Sequence, residues 1–200
     1  GNYVGLEKYM KMDGMVYTLV EDKMEPSDRV LDVERTRALI DSVYQFRGLG
    51  DGSCYINPES ARLMNNYNSM YIHVAFDQRT KIEQLAAQRQ ITVQRELLSA
   101  KSTKTKEEIE AEFTDKMDSH IAIASQYLNL GIKQFPNEWR SYAVMSDILS
   151  TAGKYSESLE YLERGLTVAQ SSERRYLMQQ KLKTFESAAM YDEAIAFIDG

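Results

Sequence analysis

Residues 153–166 read GKYSESLEYLERGL. A glycine stands first and a tyrosine two residues on. Leu159, Leu162 and Leu166 then recur at helical spacing, with the small residues Ser158 and Gly165 beside them. Such a stretch either lines an active site or forms the joint of a helical hairpin. The rest of the chain decides between the two.

The stretch is repeated. Setting SLEYLERGLTVAQS (158–171) against ASQYLNLGIKQFPN (124–137) puts Tyr161 on Tyr127, Leu162 on Leu128, Gly165 on Gly131 and Leu166 on Ile132, at an offset of 34 residues. A third copy, AMYDEAIAFIDG (189–200), matches residues 153–164 at an offset of 36, with Tyr191 on Tyr155, Ala194 on Ser158 and Ile198 on Leu162. A helical joint accounts for each residue type. Gly153 tolerates the left-handed conformation that ends the first helix, and Tyr155 packs over the turn. Only small residues at Ser158, Gly165, Ala124 and Gly131 let the second helix lie close to the first. Leu162 and Leu166 fill the core between hairpins, and Pro136 stops one helix before the next begins.

A period of 34 residues is that of tetratricopeptide repeats. The chain resembles that family over residues 105–200 and more loosely from Asn57. The resemblance implies a first helix over 139–152, with Tyr142, Met145, Leu149 and Ala152 facing inward and Ser146 in a small position. Two departures stand out: Lys181 falls where a leucine is expected, and no polar capping helix follows the last one. The expected fold is therefore all-α, with tetratricopeptide-like antiparallel hairpins stacked as a short solenoid. A small leader over 1–56 precedes a repeat domain over 57–200, within which 79–118 forms a helical extension.

The 200 residues are 43% hydrophobic and 27% charged, enough to bury a core without staples. A formal charge of −6 argues against a nucleic-acid footprint. A single cysteine, Cys54, excludes an internal disulfide. No apolar run approaches the roughly 20 residues that cross a bilayer, and the first 20 residues lack a signal-peptide core. The chain opens on Gly1 without a methionine, as expected of a piece of a longer protein.

The three prolines mark boundaries. Pro26 lies in a polar break after GMVYTLV (14–20), which reads as a strand. Pro58 follows Asn57, a good helix N-cap with proline at the first helical position. Pro136 separates two periodic stretches. Residues 32–46 predict a helix with Val33, Leu39, Ile40, Val43 and Phe46 on one face. From Asn57 to Ser99 the apolar positions Leu63, Tyr67, Met70, Val74, Leu85 and Leu97 predict a long helix. Thr105 with Glu108 makes a capping box that restarts a helix running to Phe135. Residues 79–118, rich in Gln, Glu, Lys and Arg, predict a solvated face.

No catalytic, cofactor-binding or metal-ligating residue emerges. GLGDGSC (48–54) lacks the strand before and the helix immediately after that a phosphate loop needs, and reads as a connecting loop. Cys54 has no second cysteine. His73 sits on an apolar helix stretch and reads as a core or edge residue, and His120 with Asp115 and Asp118 reads as a solvated face. Glu107 and Glu108 belong to a capping turn. The remaining functional surface is the concave face of the repeats. On the family pattern it comprises Arg140, Ala143, Asp147 and Ser150 in one repeat and Tyr176, Gln179, Lys183 and Glu186 in the next, a mixture suited to a peptide or a partner helix.

The N-terminal half carries a second resemblance. Gly5, Leu6, Glu7, Tyr9, Met12, Gly14, Tyr17, Leu19 and Val20, followed by Phe46, Gly48, Tyr55, Asn57, Arg62 and Met64, are similar to the soluble C-terminal tail of bacterial multi-pass membrane proteins related to protein O-mannosyltransferases. That resemblance implies a non-catalytic interaction module, with the chemistry in a membrane half outside this chain. It also implies a location on the periplasmic side of the inner membrane. The expected partners are a protein or peptide, with the transmembrane part of the same chain as a further candidate. Nucleic acid and direct membrane insertion are not expected, nor is any cofactor. The alternative is a stand-alone cytoplasmic scaffold.

Overall fold

The structure, a computed structural model, describes residues 5–25, 31–46, 48, 53–98 and 105–199. The break at Pro26, most of the glycine-rich loop, the break at 99–104 and Gly200 lie outside the described residues. The chain is all-α apart from one small sheet near its start, with seven α-helices among the described residues.

The leader contains two strands where the sequence suggested one. After a 3-10 turn (Glu7–Tyr9), β1 (Met10–Asp13) pairs antiparallel with β2 (Val16–Leu19), Asp13 opposite Val16 and Met10 opposite Leu19. The two-residue loop is Gly14-Met15, and Gly14 has φ +61°, as the first position of a type II′ turn requires. Glycine at the first of two loop residues between β-capable runs is the local signal for this hairpin. The Gly14 N–H donates to Thr36 Oγ1 at 2.9 Å, tying the turn to α1 (Val33–Ser42). Asp32 caps α1 by accepting from the Arg35 N–H at 2.9 Å. It also meets Lys11 Nζ at 2.9 Å. The Arg35 amide and the Lys11 ammonium hold the Asp32 carboxyl below its ordinary value.

Helix α1 is shorter than its apolar pattern. It ends at Ser42, and the Tyr44 N–H bonds back to Leu39 O. Val43 consequently points outward, 57% exposed, while Tyr44 and Phe46 turn in against Met70, Tyr71, Val74 and Tyr127.

Helix α2 (Pro58–Leu98) is 41 residues long, about 60 Å. Asn57 Oδ1 accepts from the Ser60 N–H at 2.8 Å, satisfying its first turn. The capping box is present: Thr105 and Glu108 bond reciprocally at the start of α3 (Lys106–Gln134). The two helices form a single long hairpin. Its seam continues through residues 79–118, where Ile82, Ile109 and Met117 are buried and Leu85 and Phe113 pack beside them. Lys81, Gln84, Gln88 and Gln90 lie exposed. Leu63, expected on the inner face, is exposed.

The remaining helices are α4 (Trp139–Thr151), α5 (Tyr155–Val168), α6 (Ser171–Ser187) and α7 (Tyr191–Asp199). Helix α4 packs on α2 and α3, α5 on α4, α6 on α5 and α4, and α7 on α6. Met145, Ile148 and Leu149 of α4 join Ile72, Ala75, Ile121, Ala124 and Leu128 in the central core. A Cβ on Gly131 would lie 2.9 Å from Asn68 Oδ1, and one on Gly165 would lie 3.1 Å from Tyr142 Cβ. Both glycines therefore mark close helix approach. Ser146 and Ser158 share a buried hydrogen bond at 2.8 Å where α4 crosses α5.

The two helix joints are built alike. At the first, Gly153 has φ +84°; Lys154 N–H donates to Leu149 O and Gly153 N–H to Ser150 O, a Schellman motif. At the second, Met190 N–H donates to Phe185 O and Ala189 N–H to Glu186 O. Ala189 takes the glycine position there, at φ +56°.

Candidate functional site

Helices α2, α4 and α6 enclose a groove of about 630 Å³, within the size range of ligand clefts (about 300–1,000 Å³). Ala143, Asp147 and Ser150 line it from α4, and Tyr176, Gln179 and Lys183 from α6. These positions recur three and four residues apart, so one face of each helix delivers them together. Arg140 and Glu186 do not line the groove. Arg140 lies exposed at the start of α4, its Nε 3.2 Å from Glu138 Oε1. Glu186 is exposed on α6.

The third wall comes from α2. Phe76 and Arg79 of α2 face α4 and α6 across the groove. No repeat pattern reveals them, because they come from the long hairpin, more than 60 residues away in the chain. Arg79 pairs through Nε with the Asp147 carboxylate and through Nη2 with Glu83 Oε1 at 2.9 Å. Phe76 is 41% exposed, leaving an aromatic rim opposite Tyr176. The Tyr176 ring stands edge-on to Trp139, with centroids 5.5 Å apart.

The polar groups divide into engaged and open. Thr151, Thr184 and Ser187 each donate a hydroxyl hydrogen to a carbonyl of their own helix at 2.8–3.0 Å, leaving oxygen lone pairs to accept. Gln180 Nε2 donates to Tyr176 Oη at 3.2 Å, while its buried Oε1 has no hydrogen-bond partner among the described residues. Lys183 makes no ion pair among the described residues. The groove thus offers an ammonium, open amides and hydroxyl acceptors around a fixed Arg79–Asp147 pair. No histidine or cysteine lines it.

The cysteine and the histidines singled out from sequence lie apart from this groove, whereas Ser146 and Tyr155 also line it. Cys54 is exposed. His73 is half-buried in α2, and burial holds its imidazole below the ordinary value. His120 Nδ1 lies 2.8 Å from Gln78 Oε1, and Asp118 pairs with Lys154 at 3.0 Å. No group of three or more His, Cys, Asp and Glu side chains that could hold a metal ion exists among the described residues. No described helix is long and apolar enough to cross a membrane. No family model, no curated protein and no solved structure matches this chain.

Proposed function

We propose that the chain is a non-catalytic protein-interaction module. In this reading it is a short solenoid of tetratricopeptide-like hairpins whose groove takes an extended segment of a partner polypeptide. The observation that carries it is the convergence of Ala143, Asp147, Ser150, Tyr176, Gln179 and Lys183 on one groove. An extended peptide brings unsatisfied backbone N–H and C=O groups that must find partners. The Thr151 and Ser187 hydroxyl oxygens accept from the former; Gln179 and Lys183 donate to the latter. Phe76 and Tyr176 supply apolar contact for side chains. The Asp147 carboxylate is engaged by Arg79.

A displayed library of extended peptides, selected on the whole chain, tests this. The best peptides should bind at least tenfold more weakly to Tyr176→Ala, which removes the rim, and to Ser150→Tyr, which fills the groove. Selected peptides that ignore both substitutions would sink the groove as the binding site.

The same proposal places the module as the soluble tail of a membrane-embedded, protein O-mannosyltransferase-related protein on the periplasmic side, binding acceptor polypeptide or assembly partners. Its support is the N-terminal resemblance carried by Gly5 to Val20 and Phe46 to Met64. An antibody to this domain should then detect a membrane-fraction band far larger than 23.0 kDa in native cells. A soluble band near 23.0 kDa would favour the competing reading, a free-standing cytoplasmic adaptor.

A further inference from the structure

Among the described residues, three charged side chains line the groove of α2, α4 and α6: Arg79, Asp147 and Lys183. Two of them are neutralised within the fold. Arg79 pairs with the Asp147 carboxylate and, through Nη2, with Glu83 Oε1 at 2.9 Å. Lys183 is left over. It is exposed and makes no ion pair among the described residues, not even with Glu186 three residues on. The neighbouring Lys181 is taken by Glu163 of α5. The groove thus presents one open ammonium and no open carboxylate. We propose, on the reading of this groove as a peptide site, that it takes acidic segments. An aspartate or glutamate of the bound polypeptide pairs with Lys183, and an apolar side chain about three residues away packs against Tyr176 and Phe76.

The spacing follows from helix geometry. Tyr176 and Lys183 both line the groove from α6, two turns apart, which separates them by about 10 Å along the axis. An extended chain advances about 3.3 Å per residue, so about three residues span that distance. The aromatic end is open to a ligand, with Phe76 41% and Tyr176 47% exposed.

The charges also select the chemistry of the occupant. A basic segment would set its cations beside Lys183 with no open carboxylate to receive them, which disfavours it. Phosphate is recognised best by the fork of a free guanidinium, and here Arg79 is held by two carboxylates. A carboxylate suits a lone ammonium. Lysine carries three donors, so Lys183 can meet a side-chain carboxylate and a backbone carbonyl together. Such a pair fixes register and partner choice more than it adds affinity.

The test selects a displayed library of short random peptides in parallel on the whole chain and on its Lys183→Glu variant. Peptides from the unaltered chain should carry Asp or Glu about three residues from an apolar anchor. Those from Lys183→Glu should carry Lys or Arg at that place instead. The best acidic peptides, labelled and titrated by fluorescence anisotropy, should bind Lys183→Arg normally and Lys183→Gln about threefold more weakly. Against Lys183→Glu, where attraction becomes repulsion, the loss should be about tenfold. Lys183 is exposed, and circular dichroism verifies that the variants fold. Peptides that lose affinity for Tyr176→Ala yet bind Lys183→Glu undiminished overturn the acidic preference and leave the groove reading standing. Acidic enrichment with no fixed spacing to an apolar residue also overturns it, because diffuse attraction has no register. A selection that yields no binder, or only peptides indifferent to Tyr176→Ala and Ser150→Tyr, removes the groove reading and the acidic preference with it.

Discussion

At the scale of single residues, backbone conformation and protonation yield the sharpest expectations. Ala189 sits at φ +56° in the joint where Gly153 serves the equivalent turn. A left-handed alanine costs about 1–2 kcal/mol, and glycine returns about 0.4–1 kcal/mol of that through the entropy of the unfolded chain. Ala189→Gly should therefore stabilise by about 0.5–1 kcal/mol, read as a higher urea midpoint with unchanged slope. His73 gives a pH effect. Burial lowers its native affinity for a proton, whereas the unfolded chain takes one near pH 6.5. Between about pH 7 and the depressed native value the unfolded state binds more protons, so stability falls as the solution is acidified. His120 is shifted in the same direction by burial and by Lys81 and adds to the slope. In His73→Leu the loss of stability from pH 7 to pH 5 should shrink measurably. An unchanged slope would show that His73 titrates normally.

At the scale of elements, the Tyr127 side chain fastens α1 to the long hairpin. Tyr127 of α3 is fully buried. Its hydroxyl donates to Asp41 Oδ2 at 2.8 Å and accepts from Arg37 Nε at 3.2 Å, with both partners on α1. The Arg37 guanidinium also lies 5.6 Å from the Tyr127 ring centroid. Tyr127→Phe keeps the ring and removes the link, which should cost about 1–2 kcal/mol. Amide exchange in α1 should accelerate more than in α4 or α5, because the lost contacts belong to α1. Equal acceleration in all three helices would mean that the leader does not open as a separate unit. Tyr127 was legible in the sequence as a repeat position, but its hydroxyl chemistry was not. Asp41 and Arg37 lie 86 and 90 residues away along the chain, and no local pattern pairs them.

At the scale of the molecule, α2, α3 and α4 share one core while the far end of the hairpin rests on two helices alone. Leu128 is fully buried in that shared core, so Leu128→Ala should cost about 2–5 kcal/mol. Ile91 is 65% exposed on the distal part of α2, and Ile91→Ala should stay within about 0.5 kcal/mol. Thermal denaturation of the two variants distinguishes them, and a large loss at Ile91 would reveal packing against the outer hairpin. The candidate groove divides along the same line. Six of the eight positions implied by the tetratricopeptide resemblance line its α4 and α6 walls, whereas Phe76 and Arg79 lay outside that pattern.

The sequence by itself determined where helices begin, end and come close. Asn57 with Pro58, Thr105 with Glu108, and Gly153 act within four or five residues of themselves, through hydrogen bonds and torsions that need no partner element. Gly131 and Gly165 carry the same information about approach, because only absence of a side chain permits it. The tertiary structure alone decided which surfaces those helices meet. It turned Val43 outward, brought α2 across the groove and joined Tyr127 to α1. Each outcome depends on contacts between residues distant in the chain, and their energy exists only once the helices have packed together.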